Sequence, residues 1–194
     1  MSQFWNFFNL GLNQILSWQT TEHILFLIVV MAVLSFSDWV RLLWLVTLFT
    51  VGHLLAIALS MYDIIMVQGG MIYFLIPLTV FVAALFSLFT AGKNPRNGKL
   101  QIFYFISLFL GILYGLGFAI RFEAQTTASS GKFIPLLEYG LGVAAGQILV
   151  VLVVLILTSI IQTIFRFSKR DWALVISSIV IGFMIPLLLE NKFW

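Results

Sequence analysis

The sequence predicts an all-α integral membrane protein, with about six transmembrane helices in one bundle and an N-terminal interfacial amphipathic helix. Three observations predict it. Only 9% of the 194 residues are charged while 62% are hydrophobic, and the mean hydropathy is +1.12. The apolar residues fall into six long blocks. The basic residues gather on one alternate set of the loops between those blocks. A water-soluble domain of this composition would have to coat itself with Leu, Ile, Val and Phe, which soluble proteins avoid.

Residues 1–19 come first. Phe4-Trp5-Asn6-Phe7-Phe8-Asn9-Leu10-Gly11-Leu12-Asn13-Gln14-Ile15-Leu16 mixes aromatic residues with amides. That pattern reads as a helix lying at the outer interface or dipping partly into the bundle. Met1–Gln19 has no Lys or Arg and no small-residue cleavage site, so it does not read as a removable signal peptide.

A helix needs roughly 20 apolar residues to cross a hydrocarbon layer about 30 Å thick. The predicted spans are Thr20–Ser37, Leu42–Met61, Met71–Ala91, Leu100–Ile120, Ile134–Phe165 and Trp172–Leu189. The first is short, and the fifth is long enough to tilt or protrude. Pro77, Pro135 and Pro186 lie in or at the start of spans, where interior prolines need neighbours to satisfy the freed carbonyl. Gly92–Lys99 reads as a turn from its Asn-Pro and Asn-Gly content, and Glu123–Lys132 as a polar loop. With no long polar stretch, the chain is one membrane domain.

Orientation follows from the loops. One side carries Arg41, Lys93, Arg96, Lys99, Arg166, Lys169 and Arg170. The other carries Arg121, Lys132 and Lys192 with Glu22, Asp63, Glu123, Glu138 and Glu190. Seven basic residues against three predict that the first side is cytoplasmic and both termini face out. In a bacterium this is a multi-pass inner-membrane protein with periplasmic termini. The net charge of +3 is too small and too localised for nucleic-acid binding. By position, Trp5, Trp18, Trp39, Trp172 and Trp194 read as interfacial anchors.

Polar groups at membrane depth are costly and therefore informative. Counting about 1.5 Å per residue from the outer end of each span, His23 lies about 5 Å in, Tyr114 about 10 Å, His53 about 12 Å and Gln147 about 18 Å. All occupy the outer half of the bundle, and Gln14, Glu22 and Thr50 could join them in a pocket open to the outside. Each also has a plainer reading. His53 could be hydrogen-bonded packing, His23 a solvated interfacial side chain, Tyr114 a space-filler among glycines, and Gln147 interhelical glue. Gly111-x-x-x-Gly115 and Gly142-x-x-x-Gly146 suit close helix contact, within the chain first and between copies second.

Several chemistries are excluded. There is no cysteine, hence no disulfide and no thiolate site. No His-Glu-x-x-His, Gly-x-Ser-x-Gly or phosphate-binding glycine loop is present, and no catalytic residues are predicted. Two histidines could hold a haem between helices, but their unequal depths argue against it.

With these residues in hand, the chain resembles the HupE/UreJ family of hydrogenase and urease accessory membrane proteins, in register from about Gly11 to Gln162. Four elements carry the resemblance: Gly11 to Gln14 with Glu22-His23; Phe49-Thr50-Val51-Gly52-His53; Tyr114-Gly115-Leu116-Gly117-Phe118; and Gly142-Val143-Ala144-Ala145-Gly146-Gln147. The resemblance implies a nickel or cobalt permease, or a metal-handling accessory protein, with histidines and carboxylates as ligands. Here Gln14 stands for a family His, Glu22 for an Asp, Tyr114 for a His and Ala144 for a Glu. Glu22, His23, His53 and Gln147 remain as metal donors, with no certain cofactor and Ni²⁺ or Co²⁺ as the possible ions. Amides and phenols are weaker donors than imidazole and carboxylate for such ions.

Three functions remain open from sequence. One is a metal permease with this reduced site. The second is a transport-inactive subunit that binds other membrane proteins. The third, an intramembrane enzyme using Glu22, His23 and His53, has no catalytic spacing behind it. Besides partner subunits, the expected surroundings are the lipid bilayer itself.

Overall fold

A computed structural model describes residues 3–17, 20–34, 36–62, 64–65, 69–92, 97–126, 133–166 and 168–191. Trp18, Asp63, Lys93, Arg96, Lys132, Lys192 and Trp194 lie outside these residues. The elements are α1 (Gln3–Leu16), α2 (Thr21–Val33), α3 (Trp39–Met61), α4 (Gly69–Thr90), α5 (Asn97–Thr126), α6 (Phe133–Phe165) and α7 (Lys169–Glu190), with a 3₁₀ turn at Phe36–Asp38. Five of them, α3 to α7, are each long and apolar enough to cross a membrane, and the count rises to six if the bent pair α1 and α2 forms one span. Arg41 lies on the first turn of α3, Arg166 just after α6, and Lys169 and Arg170 on the first turn of α7, and these helix ends are here termed the basic end of the bundle.

The first span differs in form from the sequence expectation. α2 has 13 residues, about 20 Å at 1.5 Å per residue, too short to cross alone. α1 precedes it at a bend of 69°, and the pair forms either a broken span or a re-entrant segment. α1 packs into the bundle along α6, the second of the two positions its pattern allows. Its face of Phe7, Gly11 and Ile15 is buried, while Trp5 is half-exposed. Contacts advance together along both helices, Phe8 meeting Gly142 and Ile15 meeting Gly146, so α1 and α6 run in the same direction.

A broken helix leaves carbonyls without intrahelical partners, which hydrocarbon cannot solvate. Thr20, buried at the bend, supplies one hydroxyl donor among them. Its hydroxyl lies 2.9 Å from the carbonyl of Gln14, 3.2 Å from that of Ile15 and 2.9 Å from that of Ser17.

Glycine permits the two closest helix contacts. On the α3–α5 seam a Cβ at Gly111 would lie 2.2 Å from the Phe49 carbonyl oxygen, and one at Gly115 would lie 2.4 Å from that of His53. On the α1–α6 seam a Cβ at Gly142 would lie 2.0 Å from the carbonyl of Phe8. Both Gly-x-x-x-Gly pairs thus face neighbours within the chain. Elsewhere α4 and α7 are joined by a buried hydrogen bond from the Ser177 hydroxyl to that of Ser87, 2.9 Å long. Trp172 is buried against Ala32, whereas Trp39 is exposed.

Backbone contact of this kind cannot absorb a methyl group. Gly111→Ala is expected to lower folding stability by about 1–3 kcal/mol, the range for overpacked sites, seen as a lower thermal midpoint in detergent. Gly182, with nothing within 4 Å, supplies the control. Gly182→Ala should leave the midpoint unchanged or slightly raised, and equal effects of the two changes would refute the seam.

Candidate functional site

The bend positions the site. Glu22 and His23 fall on the first turn of α2, just past the bend. His23 is enclosed by protein. It is buried against α3 and α5, with its ring centroid 4.1 Å from Phe49 and 5.7 Å from Tyr114.

Above it opens a vestibule of about 280 Å³ at the end of the bundle opposite the basic loops. Gln14, Thr20, Glu22, Tyr73, Tyr114, Arg121 and Asn191 contribute to its lining. The Tyr114 hydroxyl donates to Oε2 of Glu22 at 3.3 Å. Tyr114 thus links the two levels, its hydroxyl toward the vestibule carboxylate and its ring against His23. Neither imidazole lines the vestibule.

His53 lies one turn after Phe49 on α3, and Phe49 contacts both histidine rings, with its centroid 5.7 Å from that of His53. Nε2 of His53 is paired with the Tyr139 hydroxyl at 2.7 Å. Tyr139 is itself fixed by Phe118 and Phe122, at centroid separations of 5.3 and 5.2 Å. Both histidines and Gln147 are buried. Among the described residues, neither ring nitrogen of His23, Nδ1 of His53 nor either amide atom of Gln147 has a hydrogen-bond partner. Such groups are normally satisfied when buried, and exceptions call for an explanation.

The predicted residues are thus only partly brought together. Gln14, Glu22 and Tyr114 share the vestibule, and His23 packs beneath it. Thr50 lies elsewhere, in a cleft of about 440 Å³ between α3 and α6 with Thr47, Leu54, Gly140 and Ala144. Among the described residues, no three His, Cys, Asp or Glu side chains stand close enough to hold one metal ion. Phe49 contacts both imidazole rings, so these two donors are neighbours across it.

Sequence reasoning missed Tyr139, Phe49 and Arg121 as site residues. Tyr139 stands eight positions before Gln147, which is two helical turns, so both belong to one face of α6. Phe49 was visible only as part of a motif, and Arg121 only as a loop charge.

Fold and site together define a polytopic helical membrane protein with a polar vestibule beside buried imidazoles. The family model described as "HupE / UreJ protein" matches residues 1–190, essentially the whole chain, and the chain belongs to that family. Nothing among the curated proteins or the solved structures matches it.

Tyr139→Phe keeps the ring stack and removes only the hydroxyl facing His53. Leaving that buried nitrogen unpaired should cost about 1–3 kcal/mol, read as a lower thermal midpoint together with a shifted ¹⁵N resonance of the His53 ring. An unchanged midpoint and resonance would dismiss the pairing.

Proposed function

We propose that this protein carries or hands on a divalent transition-metal cation, nickel or cobalt, rather than catalysing a reaction. The observation that carries this reading is the pair of buried imidazoles, with both ring nitrogens of His23 and Nδ1 of His53 unpartnered among the described residues, beside a vestibule that holds the Glu22 carboxylate. Neutral imidazole and carboxylate suit Ni²⁺ and Co²⁺. The Glu22 carboxylate would receive the ion, His23 would take it beside Phe49, and His53 would follow, held in one orientation by Tyr139. Gln147 would offer a weaker oxygen donor.

The spread of these donors favours transit over storage. A path conducts when each site binds well enough to admit the ion and weakly enough to release it, and three or four ligands converging on one point would trap it. The loop charges support a bacterial inner-membrane orientation with the basic end in the cytoplasm and the vestibule facing the periplasm.

A second reading is a subunit that docks beside other membrane proteins. The α3–α6 cleft, floored by Gly140 and Ala144, favours it, since small residues let helix backbones approach. Co-purification of a stoichiometric partner that is lost on Ala144→Leu would support it.

Uptake of radioactive nickel by cells producing the protein distinguishes the two. His53→Ala and His23→Ala should each reduce uptake at least tenfold, the scale for disturbing a metal ligand's surroundings, with protein abundance in the membrane unchanged. Wild-type cells that take up no more nickel or cobalt than cells lacking the protein would refute the transport reading.

A further inference from the structure

Glu22 and His23 are neighbours in sequence, yet the carboxylate lines the vestibule and the imidazole does not. Tyr114 stands between the two. It lines the vestibule with Glu22, and its ring meets His23 edge to face, at 5.7 Å between centroids and an interplanar angle of 68°. The same ring lies 6.0 Å from that of Phe49. Tyr114 and His23 are both buried. A solute in the vestibule therefore meets the phenol before the imidazole.

The tie that holds this ring is long. The Tyr114 hydroxyl donates to Oε2 of Glu22 at 3.3 Å, beyond the roughly 2.5–3.0 Å of a well-formed O–H···O bond. It joins α5 to α2, so losing it frees the phenol without unwinding either helix. The ionised carboxylate only accepts, and any cation it binds draws on the same lone pairs and cancels the charge that strengthens the bond. Phenol and cation compete for one group.

The ring also has room beside it. Gly117, one turn after Tyr114, lines the vestibule. Helical side chains lean toward the preceding turn, so a side chain at 117 would crowd Tyr114. Gly111 and Gly115 are spent on the α3–α5 seam, but Gly117 is not. Among the described residues a Cβ there would meet only Cγ2 of Ile72, at an ordinary contact distance of 3.5 Å. Glycine at this position leaves the cavity open next to the phenol.

We propose that Tyr114 is a gate between the vestibule and His23, latched by its hydrogen bond to Glu22 and released when that bond is lost. Swinging the ring into the space beside Gly117 opens the imidazole to the vestibule. That a metal cation releases the latch rests on the transport reading above. The ion then favours the open state, because it binds better to a carboxylate that no longer accepts from Tyr114, and His23 opens while Glu22 is occupied.

The test uses the full chain carrying His23→Cys in lipid nanodiscs, and reads the rate at which a small membrane-impermeant reagent modifies the new thiol. With Tyr114 and Glu22 in place the reaction should be slow. Tyr114→Phe, which keeps the ring and loses the latch, should raise the rate about tenfold or more, the scale of losing a hydrogen bond to a charged group. Tyr114→Ala should raise it further. Glu22→Gln should raise it less, and combining it with Tyr114→Phe should add nothing, since both act on one bond. Ser177→Cys, at a buried position between α4 and α7, controls for loosening of the bundle, and its thiol should stay protected in the Tyr114 variants. This pattern, with no nickel uptake by cells, would retain the gate while the transport reading fails. A fast reaction with both residues in place, or an unchanged rate in both Tyr114 variants, would overturn the gate even if cells take up nickel. Multiplying effects of Tyr114→Phe and Glu22→Gln would overturn the latch, and equal exposure of the Ser177→Cys thiol would reduce the effect to unfolding.

Discussion

The whole arrangement depends on one constraint: inside a hydrocarbon layer, every backbone carbonyl and amide must be satisfied by protein. An unbroken helix meets it without help, and α3 to α7 do so over most of their length. The first span does not. It stops at Leu16, turns, and restarts at Thr21, and the one hydroxyl proton of Thr20 has three carbonyls at the end of α1 within reach. That donor comes from within the chain. Because the break exists, the first turn of α2 carries Glu22 to the vestibule wall and His23 beneath it.

Packing then holds the break in place. α1 cannot slide along α6, because Gly142 receives the backbone at Phe8 and Gly146 receives Ile15. On the opposite side of the site, Gly111 and Gly115 bring α5 against α3 at Phe49 and His53. That seam sets the distance at which Tyr114 can reach both Glu22 and the His23 ring. The glycines thus act on the site through backbone spacing, without contributing a polar atom to it. The aromatic groups Phe49, Tyr114 and Tyr139 fill the space between levels and fix the rings by contact at 4.1–6.0 Å between centroids.

Much of this was legible in the sequence, for definite reasons. Apolar block length gave spans that agree with α3, α4, α6 and α7 to within a few residues, since hydrocarbon thickness imposes a length that composition reveals. The glycine pairs were legible because only glycine has no Cβ to obstruct a neighbouring backbone. The break was not legible. Neither proline nor glycine marks it, and the amides and aromatics of α1 resemble an interfacial helix as closely as half of a span. Tyr139 and Arg121 were hidden for another reason. Their roles arise from residues 86 positions away in one case and from a shared cavity wall in the other, and no local spacing reports either.

The central claim is that the first span breaks at membrane depth so that position 22 opens to the face opposite the basic loops while position 23 is sealed below it. The chain has no cysteine, so single cysteines at the two positions can be probed on an otherwise unreactive background with a membrane-impermeant thiol reagent. The account predicts that Glu22→Cys is modified from the periplasmic face alone, and that His23→Cys resists modification from both. Modification of Glu22→Cys from the cytoplasmic face, or equal reactivity at the two positions, would contradict it.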